Sequence, residues 1–423
     1  MQVNRRWTML LPVIFVSYSL SYLDRANFSF GAAAGMAADL HITSAQSSLL
    51  GSLFFLGYFF FQIPGVIYAQ RRSVKRMIFA GLIGWGVLAS ATGLIADIRL
   101  LYIDRFLLGI VESAVLPAML VLQARWYTRP ERARANAFLV LGNPATMLWM
   151  SLLSGYLAAR LGWRMMFVIE GLPPILWAFV WWRLVADRPR EAAWLSLADR
   201  TALEAALAEE QRDIAPMTNY AAAFKNPRVI LLAAQYFLWS IGVYGFVIWL
   251  PSMLKTVNMG MGEVGLLSAV PYLVGVIAEI SIATWSDFSG KRMGLVWPCF
   301  LLAGAAFYAS YLLSPSHFWI GFALLTIAGA SMYAPYGPYF AYLAEILPTN
   351  VAGGAIALIN SMGALGSFVG AYGVGMLNGM TGSSAMSFLM MAVALIVSAI
   401  LTYLAPEKSH PGRVGQRPSI PQP

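Results

Sequence analysis

Long apolar segments separated by short polar stretches occupy most of the chain. A helix needs about 20 mostly apolar residues to cross the hydrocarbon core of a bilayer. Twelve segments meet this requirement, at about residues 8–35, 46–69, 77–97, 99–123, 136–158, 165–185, 228–250, 264–284, 294–313, 317–340, 352–377 and 384–405. The pattern therefore predicts an all-α integral membrane protein with twelve transmembrane helices.

The longest internal polar stretch falls between the sixth and seventh segments and predicts two halves. We expect an N-terminal six-helix bundle at 1–185, a cytoplasmic linker at 186–226 and a C-terminal six-helix bundle at 227–406. The tail at 407–423 is polar and rich in proline, which predicts disorder. Within the linker, three leucines share one face of a short amphipathic helix: Leu197, Leu203 and Leu207.

Composition and charge support a membrane protein. The 423 residues are 59% hydrophobic and 11% charged, whereas soluble domains contain about 25% charged residues. The net charge of +9 could indicate nucleic acid binding, but the basic residues cluster in alternate loops, as at 71–76 and 125–134. By the positive-inside rule, this predicts a multi-pass membrane protein with both termini cytoplasmic. We expect the lipid bilayer, and no nucleic acid, as a partner.

Four charged residues inside predicted membrane segments form a candidate functional set. Asp24 and Arg25 are in the first segment, and Arg105 and Glu112 are seven residues apart in the fourth. Seven residues are two helical turns, so Arg105 and Glu112 share a face. They could be ion pairs that only hold helices together, but such pairs stabilise less than apolar packing does. Intramembrane charges more often mark a transport path.

Charge counting suggests how these residues act. With both acids ionised the four side chains sum to zero, so a bound monoanion would leave an uncompensated negative charge. Protonation of Asp24 or Glu112 would cancel that charge and free an arginine for the anion, whose carboxylate fits the planar guanidinium. Anion and proton would then favour each other's binding. This predicts proton symport with a small anionic substrate.

The turn after the eighth segment carries a family resemblance. It reads Asp287-Phe288-Ser289-Gly290-Lys291-Arg292, and a basic turn follows the second segment as well. Two six-helix halves with this turn resemble the major facilitator superfamily. The resemblance implies a gating role for Asp287, Gly290, Lys291 and Arg292. The first turn has Gln70 and Ser73 in place of the family's Asp and Gly, which puts the matching salt-bridge latch in doubt.

Three further sequence motifs resemble those of the anion:cation symporter family. Its bacterial members take up sugar acids such as galactonate, glucarate and hexuronates together with protons. The motifs are residues 22–27, 61–65 and 105–114. The sequences at 143–144 and 240–245 are most similar to those of 2-ketogluconate permeases. The resemblance implies that two arginines bind substrate and two acids carry protons: Arg25 and Arg105, and Asp24 and Glu112.

A sugar acid also needs partners for its hydroxyl groups. We expect these from Tyr22, Tyr58, Asn143, Gln235, Tyr244 and Asn360. Gln235 and Tyr244 fit plain interhelical hydrogen bonding equally well, and a family member carries Gln at the position of Asn143. Glu170 and Glu279 are expected near the ends of their segments, in gate or loop salt bridges. We also expect Pro335 and Pro338 to bend or break the tenth segment.

Other functions stay open as alternatives. A proton-driven drug or metabolite exporter of the same fold would typically carry a glycine pair after Gly-Pro in the fifth segment, where this chain has Gly142-Asn143-Pro144. An anion exchanger is a further alternative. A membrane enzyme lacks a supporting motif, and a channel lacks a repeated ring of charges. We expect a monomer with no cofactor and no metal, in which the proton is the coupling ion.

Overall fold

The computed structural model describes residues 5–212, 226–255, 259–314, 316–346 and 352–405. Within these ranges the chain is almost entirely helical and contains no β-strand. The predicted disordered tail at 407–423 and the linker part at 213–225 lie outside the described residues. An all-α architecture is therefore confirmed for the part of the chain that the structure describes.

The helices follow one another along the chain with short connections. A π-helical turn at Arg6–Leu10 precedes the first α-helix, and a 3₁₀ turn at Pro189–Glu191 follows the eighth. The α-helices are α1 Leu11–Leu20, α2 Leu23–Ala33, α3 Met36–Asp39, α4 Ser44–Arg71, α5 Val74–Leu94, α6 Ile98–Glu112, α7 Val115–Trp126, α8 Arg129–Leu184, α9 Leu197–Arg212, α10 Pro227–Lys255, α11 Met261–Ser289, α12 Met293–Leu313, α13 Phe318–Tyr333, α14 Tyr336–Ile346, α15 Ala352–Thr381 and α16 Ala385–Tyr403.

All twelve predicted segments coincide with helices. Ten helical runs in the described residues are long and apolar enough to cross a membrane. One of these, at 134–184, holds both the fifth and the sixth predicted segments. Gly162 divides it with a left-handed φ of 78°, which glycine adopts without a Cβ clash. The first segment is divided into α1 and α2, each too short to span a bilayer alone.

Three membrane segments are interrupted. The tenth breaks between α13 and α14, as predicted, and the fourth breaks between α6 and α7. In both cases a proline lies four residues after the break, Pro338 after Ala334 and Pro117 after Ser113. A proline has no N–H for the carbonyl four residues earlier, and its ring clashes with that carbonyl. The break after Ser21 in the first segment has no such proline.

The two halves of the chain meet most closely at one end. We call the end opposite α9 the far side. There, a Cβ added to Gly155 of α8 would lie only 2.7 Å from the Cα of Gly265 of α11. The Lys255 ammonium also donates a hydrogen bond to the Ala33 carbonyl. Elsewhere α4 packs along α15 and α2 packs along α10. The halves are therefore closed against each other on the far side.

The predicted linker helix is present as α9. Leu203 and Leu207 are buried, but Leu197 is the first residue of the helix and is 78% exposed. Arg132 of α8 pairs with Glu210 of α9 at 3.7 Å. The predicted boundaries of the two bundles and the linker stay predictions.

The turn at 287–292 contains an ion pair between its two ends. Gly290 ends α11 with a left-handed φ of 68°, and Arg292 pairs with Asp287 at 2.6 Å. Lys291 is exposed, and its backbone N–H donates to the Ser289 hydroxyl at 3.3 Å. Glycine at this position lets the chain reverse without strain so that the two charged residues meet.

The matching turn of the N-terminal half is held in a different way. Asp187, just after α8, accepts hydrogen bonds from the Ser73 hydroxyl and from the backbone N–H of Lys75. Arg125 pairs with the same carboxylate at 3.5 Å and donates to the backbone carbonyl of Gln70 at 3.0 Å. Asp187 therefore supplies a carboxylate to a turn that lacks one of its own.

Candidate anion and proton site

Close packing of α4 against α6 positions the charges of the fourth membrane segment. A Cβ at Gly109 would overlap the carbonyl of Phe54, and a Cβ at Gly57 would overlap the carbonyl of Phe106. The two backbones are therefore in direct contact. Small residues allow this kind of approach between membrane helices. Arg105 and Glu112 lie one turn before and one turn after Gly109, on either side of this contact.

These four charged residues of the first and fourth segments are buried and contact each other between α2 and α6. Arg25 of α2 approaches Glu112 of α6 at 3.7 Å, and Arg105 donates to the backbone carbonyl of Asp24 at 3.5 Å. The Asp24 carboxylate accepts a hydrogen bond from the Asn27 amide at 3.1 Å. Their relative exposures are 0% for Asp24 and Glu112, 1% for Arg105 and 5% for Arg25. The side chain of Arg25 thus pairs with Glu112 and not with its neighbour in sequence.

The polar atoms of this cluster are only partly satisfied within the protein. Both carboxylate oxygens of Glu112, Oδ2 of Asp24, and Nε and Nη1 of Arg105 have no hydrogen-bond partner among the described residues. Each buried unsatisfied polar group costs about 1–3 kcal/mol. Binding a proton or an external carboxylate would reduce that cost.

Aromatic rings hold the Arg25 guanidinium in place. Its Cζ atom lies 4.2 Å from the ring centroid of Tyr22, 5.1 Å from that of Phe54 and 5.4 Å from that of Tyr58. Cation–π contacts of this kind stabilise the charge without using its N–H donors. The planar guanidinium therefore keeps donors free for a carboxylate, which it can bind through two parallel hydrogen bonds.

Arg25 faces a cavity of about 50 Å³ between the two halves. The N-terminal half contributes residues from α2, α4 and α7, and the C-terminal half contributes residues from α10 and α15. The lining residues are Tyr22, Arg25, Phe55, Tyr58, Gln62, Leu116, Tyr236, Ser240, Tyr244, Asn360, Gly363, Ala364 and Ser367. Arg25 is thus the one charged residue among those that line the cavity, and the others are uncharged.

Five residues that were predicted to bind substrate line this cavity: Tyr22, Arg25, Tyr58, Tyr244 and Asn360. Arg105, Asp24 and Glu112 lie behind it. Asn143 is buried on α8 and is not among the lining residues.

Gln235, which was also predicted to bind substrate, is not among the residues that line this cavity. Its side-chain amide donates to the Ser398 hydroxyl of α16 at 3.0 Å, and that hydroxyl donates to the backbone carbonyl of Gln235 at 3.2 Å. Gln235 is therefore an interhelical contact inside the C-terminal half.

Sequence reasoning did not nominate several lining residues as substrate contacts. Tyr236 and Ser240 precede Tyr244 at intervals of four, so all three share a face of α10. Gln62 follows Tyr58 by one turn of α4 in the same way. Helical periodicity around the predicted tyrosines could therefore have identified these lining residues from the sequence.

The prediction that Glu170 lies near a helix end is wrong. Glu170 lies in the second part of α8, is 1% exposed and accepts a hydrogen bond from Ser154 at 2.8 Å. Glu279 of α11 is 5% exposed. The salt bridges of the described residues include neither of them.

Comparison with known proteins fits this geometry. The sequence model of the Major Facilitator Superfamily matches residues 14–371 and 252–423. The chain belongs to the Major Facilitator Superfamily. This superfamily consists of transporters, so the chain is a multi-pass membrane transporter and not an enzyme.

Relatives and a solved structure extend the comparison. The chain is 31% identical over 405 residues to a "Quinolone resistance transporter" of Acinetobacter baumannii, covering 93% of this chain and 92% of the relative. It is 32% identical over 409 residues to a "Putative tartrate transporter" of Agrobacterium vitis, covering 95% and 90%. The inward open xylose transporter XylE of Escherichia coli has a TM-score of 0.77 at 14% identity, covering 95% of this chain and 97% of XylE. This last likeness confirms the major facilitator fold.

Proposed function

We propose that the chain takes up a small organic anion, most simply a sugar acid, together with protons across the bacterial inner membrane. The proposal depends mainly on one observation. Arg25 lines the cavity between the halves, and its acidic partner Glu112 lies behind it at 3.7 Å. A substrate carboxylate and Glu112 would thus compete for the same guanidinium.

This competition gives a mechanism for coupling. When a carboxylate binds Arg25, the charge of Glu112 is no longer compensated in a site of low dielectric, where such a charge is costly. A proton on Glu112 removes that cost and releases the guanidinium. Asp24 is the second acid that can carry the proton, because Oδ2 of its carboxylate has no hydrogen-bond partner among the described residues. Proton and anion therefore bind cooperatively, and each raises the affinity for the other.

The rest of the cavity suits a polar acid. The hydroxyl groups of Tyr22, Tyr58 and Tyr244 and the amide of Asn360 can donate to or accept from substrate hydroxyls. A site built for hydroxyl groups discriminates against analogues that lack them, because its own polar groups would be left unpaired. Sugar acids of the 2-ketogluconate, galactonate, glucarate or hexuronate type fit these demands, and a relative is named for tartrate.

Transport would follow from rocking of the two halves about the cavity. The halves touch on the far side, which the positive-inside rule assigns to the periplasm. The structure would then correspond to a conformation closed to the periplasm. Uptake requires the opposite rocking motion, which separates Gly155 from Gly265 and opens the far side.

Proton-driven export is the second candidate function. The relative named for quinolone resistance and the rings of Phe55 and Tyr236 in the lining favour it. An exporter would move its substrate against the proton, so the direction of accumulation in a pH gradient separates the two functions. Exchange of one anion for another would instead proceed without a gradient.

The test is uptake of labelled sugar acids into proteoliposomes, with and without an imposed inward proton gradient. We expect accumulation of at least one acid that depends on the gradient. Asp24→Asn and Glu112→Gln should lose accumulation but keep exchange, and Glu279→Gln serves as a matched control because that carboxyl is buried outside the cavity lining. Normal accumulation by both Asp24→Asn and Glu112→Gln would refute the coupling mechanism.

A further inference from the structure

Glu170 and Asn27 face each other across the contact between α2 and the second part of α8. A Cβ at Gly31 of α2 would lie 2.8 Å from the ring of Phe167 of α8. The two helices run in opposite directions. Asn27 therefore lies one turn before this contact and Glu170 about one turn after it, at the same level. Asn27 thus places a polar side chain at the level of the Glu170 carboxyl group, and both residues are buried.

This contact has too few hydrogen-bond donors for its acceptors. The Asn27 amide donates to Oδ1 of Asp24 at 3.1 Å, and Ser154 donates to Oε1 of Glu170 at 2.8 Å. Two acceptors are left without a partner, Oδ1 of Asn27 and Oε2 of Glu170. A carboxylic acid has an O–H donor that a carboxylate lacks. A neutral Glu170 could therefore satisfy Asn27 as well as itself.

The charges around Glu170 also favour exchange of a proton. The charged group that faces it from α2 is Asp24. The described neighbours on α5 and α8 present Ser90 and Ser154, which are neutral. Arg105 contacts Asp24, whereas Glu170 forms no salt bridge among the described residues. Negative charges on both acids would therefore still repel in a buried site. Ionisation of Asp24 and ionisation of Glu170 therefore oppose each other.

Glu170 is separated from the anion cavity by α2. Asp24 and Asn27 are three residues apart and share one face of that helix. Arg25 and Asn27 are two residues apart, which puts them on nearly opposite faces. Arg25 lines the cavity, whereas Glu170 does not. Along α8, Glu170 is six residues, or about 9 Å, from Arg164, which pairs with Asp39 in an exposed contact.

We propose that Glu170 is a further proton-binding residue of the transport cycle, which exchanges a proton with Asp24 on the face of α2 away from the anion cavity. The proton leaves the carboxyl group of one acid and arrives on the other, so their combined charge of minus one does not change. The inference rests on the proposed proton coupling. It adds a proton route that is distinct from the anion path and that lies toward the far side.

Glu170→Gln is the variant that tests this role. Glutamine keeps the shape and the oxygen that accepts from Ser154, but it does not titrate. We expect accumulation driven by a proton gradient to fall by about fivefold or more, while counterflow exchange of the same anion stays near the wild-type rate. Glu170→Asp should restore part of the accumulation and shift its pH profile. Glu279→Gln, a buried acid away from Asp24, should change neither quantity.

The outcomes separate this inference from the proposed function. If Asp24→Asn loses accumulation and Glu170→Gln does not, the proton role of Glu170 is wrong and the proposed coupling stands. If Glu170→Gln loses exchange and accumulation in equal proportion, its role is structural and the inference is again wrong. If Asp24→Asn and Glu112→Gln both accumulate normally, the proposed function itself fails.

Discussion

Replacing Arg25 with lysine separates the shape of the proposed anion-binding group from its charge. The guanidinium faces the cavity and lies 4.2 Å from the ring centroid of Tyr22. A carboxylate can bind it through two parallel hydrogen bonds, whereas an ammonium acts as a point charge. The lysine variant keeps the charge balance with Glu112 but loses one of those hydrogen bonds.

The magnitude follows from that lost bond. A hydrogen bond to a charged group contributes about 1.5–3 kcal/mol, and each 1.4 kcal/mol corresponds to about tenfold in affinity. Arg25→Lys should therefore raise the KM for substrate by about tenfold to about a hundredfold. Because the charge count is unchanged, the remaining uptake should still respond to the proton gradient.

The assay is the concentration dependence of counterflow in proteoliposomes. Arg160→Lys is the matched control, because Arg160 is exposed and lies over a tyrosine ring, with its Cζ 5.8 Å from the centroid of Tyr156. It should leave the KM unchanged. An Arg25→Lys protein with wild-type KM would show that the substrate carboxylate does not bind the guanidinium in the proposed way.

Three further predictions concern stability, measured as thermal unfolding of the purified protein in detergent. Gly109→Ala should lower the stability by about 1–3 kcal/mol, because its methyl group would overlap the backbone of α4; an unchanged unfolding temperature would contradict the packing. Asp187→Ala should lower it by about 1.5–3 kcal/mol through loss of its charge-assisted hydrogen bonds, and no loss would mean that the turn does not depend on this carboxylate. Partial burial raises the pKa of Glu131, but hydrogen bonds from Thr128 and the Arg6 guanidinium outweigh it and hold the pKa below its usual range. The ionised form of Glu131 therefore stabilises the fold at pH above the unfolded-state pKa of about 4.3, and this contribution is lost as the pH falls through the lower folded-state value. The difference in unfolding temperature between wild type and Glu131→Gln should accordingly shrink on acidification from pH 7, and a difference that grows would refute this sign.

The membrane segments could be predicted because their signal is local. An apolar run of sufficient length must form a helix in lipid, where every backbone polar group needs an internal partner. The break at Ala334 was predicted from its prolines, and Pro117 offered the same signal for the break after Ser113. The break after Ser21 could not be read in this way, because no proline follows it at the required distance.

The site was only partly predictable, because it depends on how helices from different halves face each other. The charges at Asp24, Arg25, Arg105 and Glu112 were visible as exceptions in apolar segments. The pairing of Arg25 with Glu112 was not, since it depends on how α2 and α6 face each other. The contact of Gln235 with Ser398 within its own half was likewise one of two possibilities that the sequence could not separate.

Glu170 was misplaced because segment ends are poorly defined by hydropathy. The predicted segment began at residue 165, which put Glu170 near its end. In the structure the helix resumes directly after Gly162, so Glu170 lies about two turns inside it. Its approach to Asn27 then follows from the antiparallel packing of α2, which the sequence alone does not specify.

The central claim is that anion and proton move together, and proton flux measured alongside anion flux tests it most directly. Proteoliposomes that contain the wild-type protein and an internal pH-sensitive dye should acidify inside when a transported sugar acid is added outside without any imposed gradient. The Glu112→Gln protein should exchange the same acid without this acidification. Uptake of the acid by the wild-type protein with no accompanying proton movement would contradict the account.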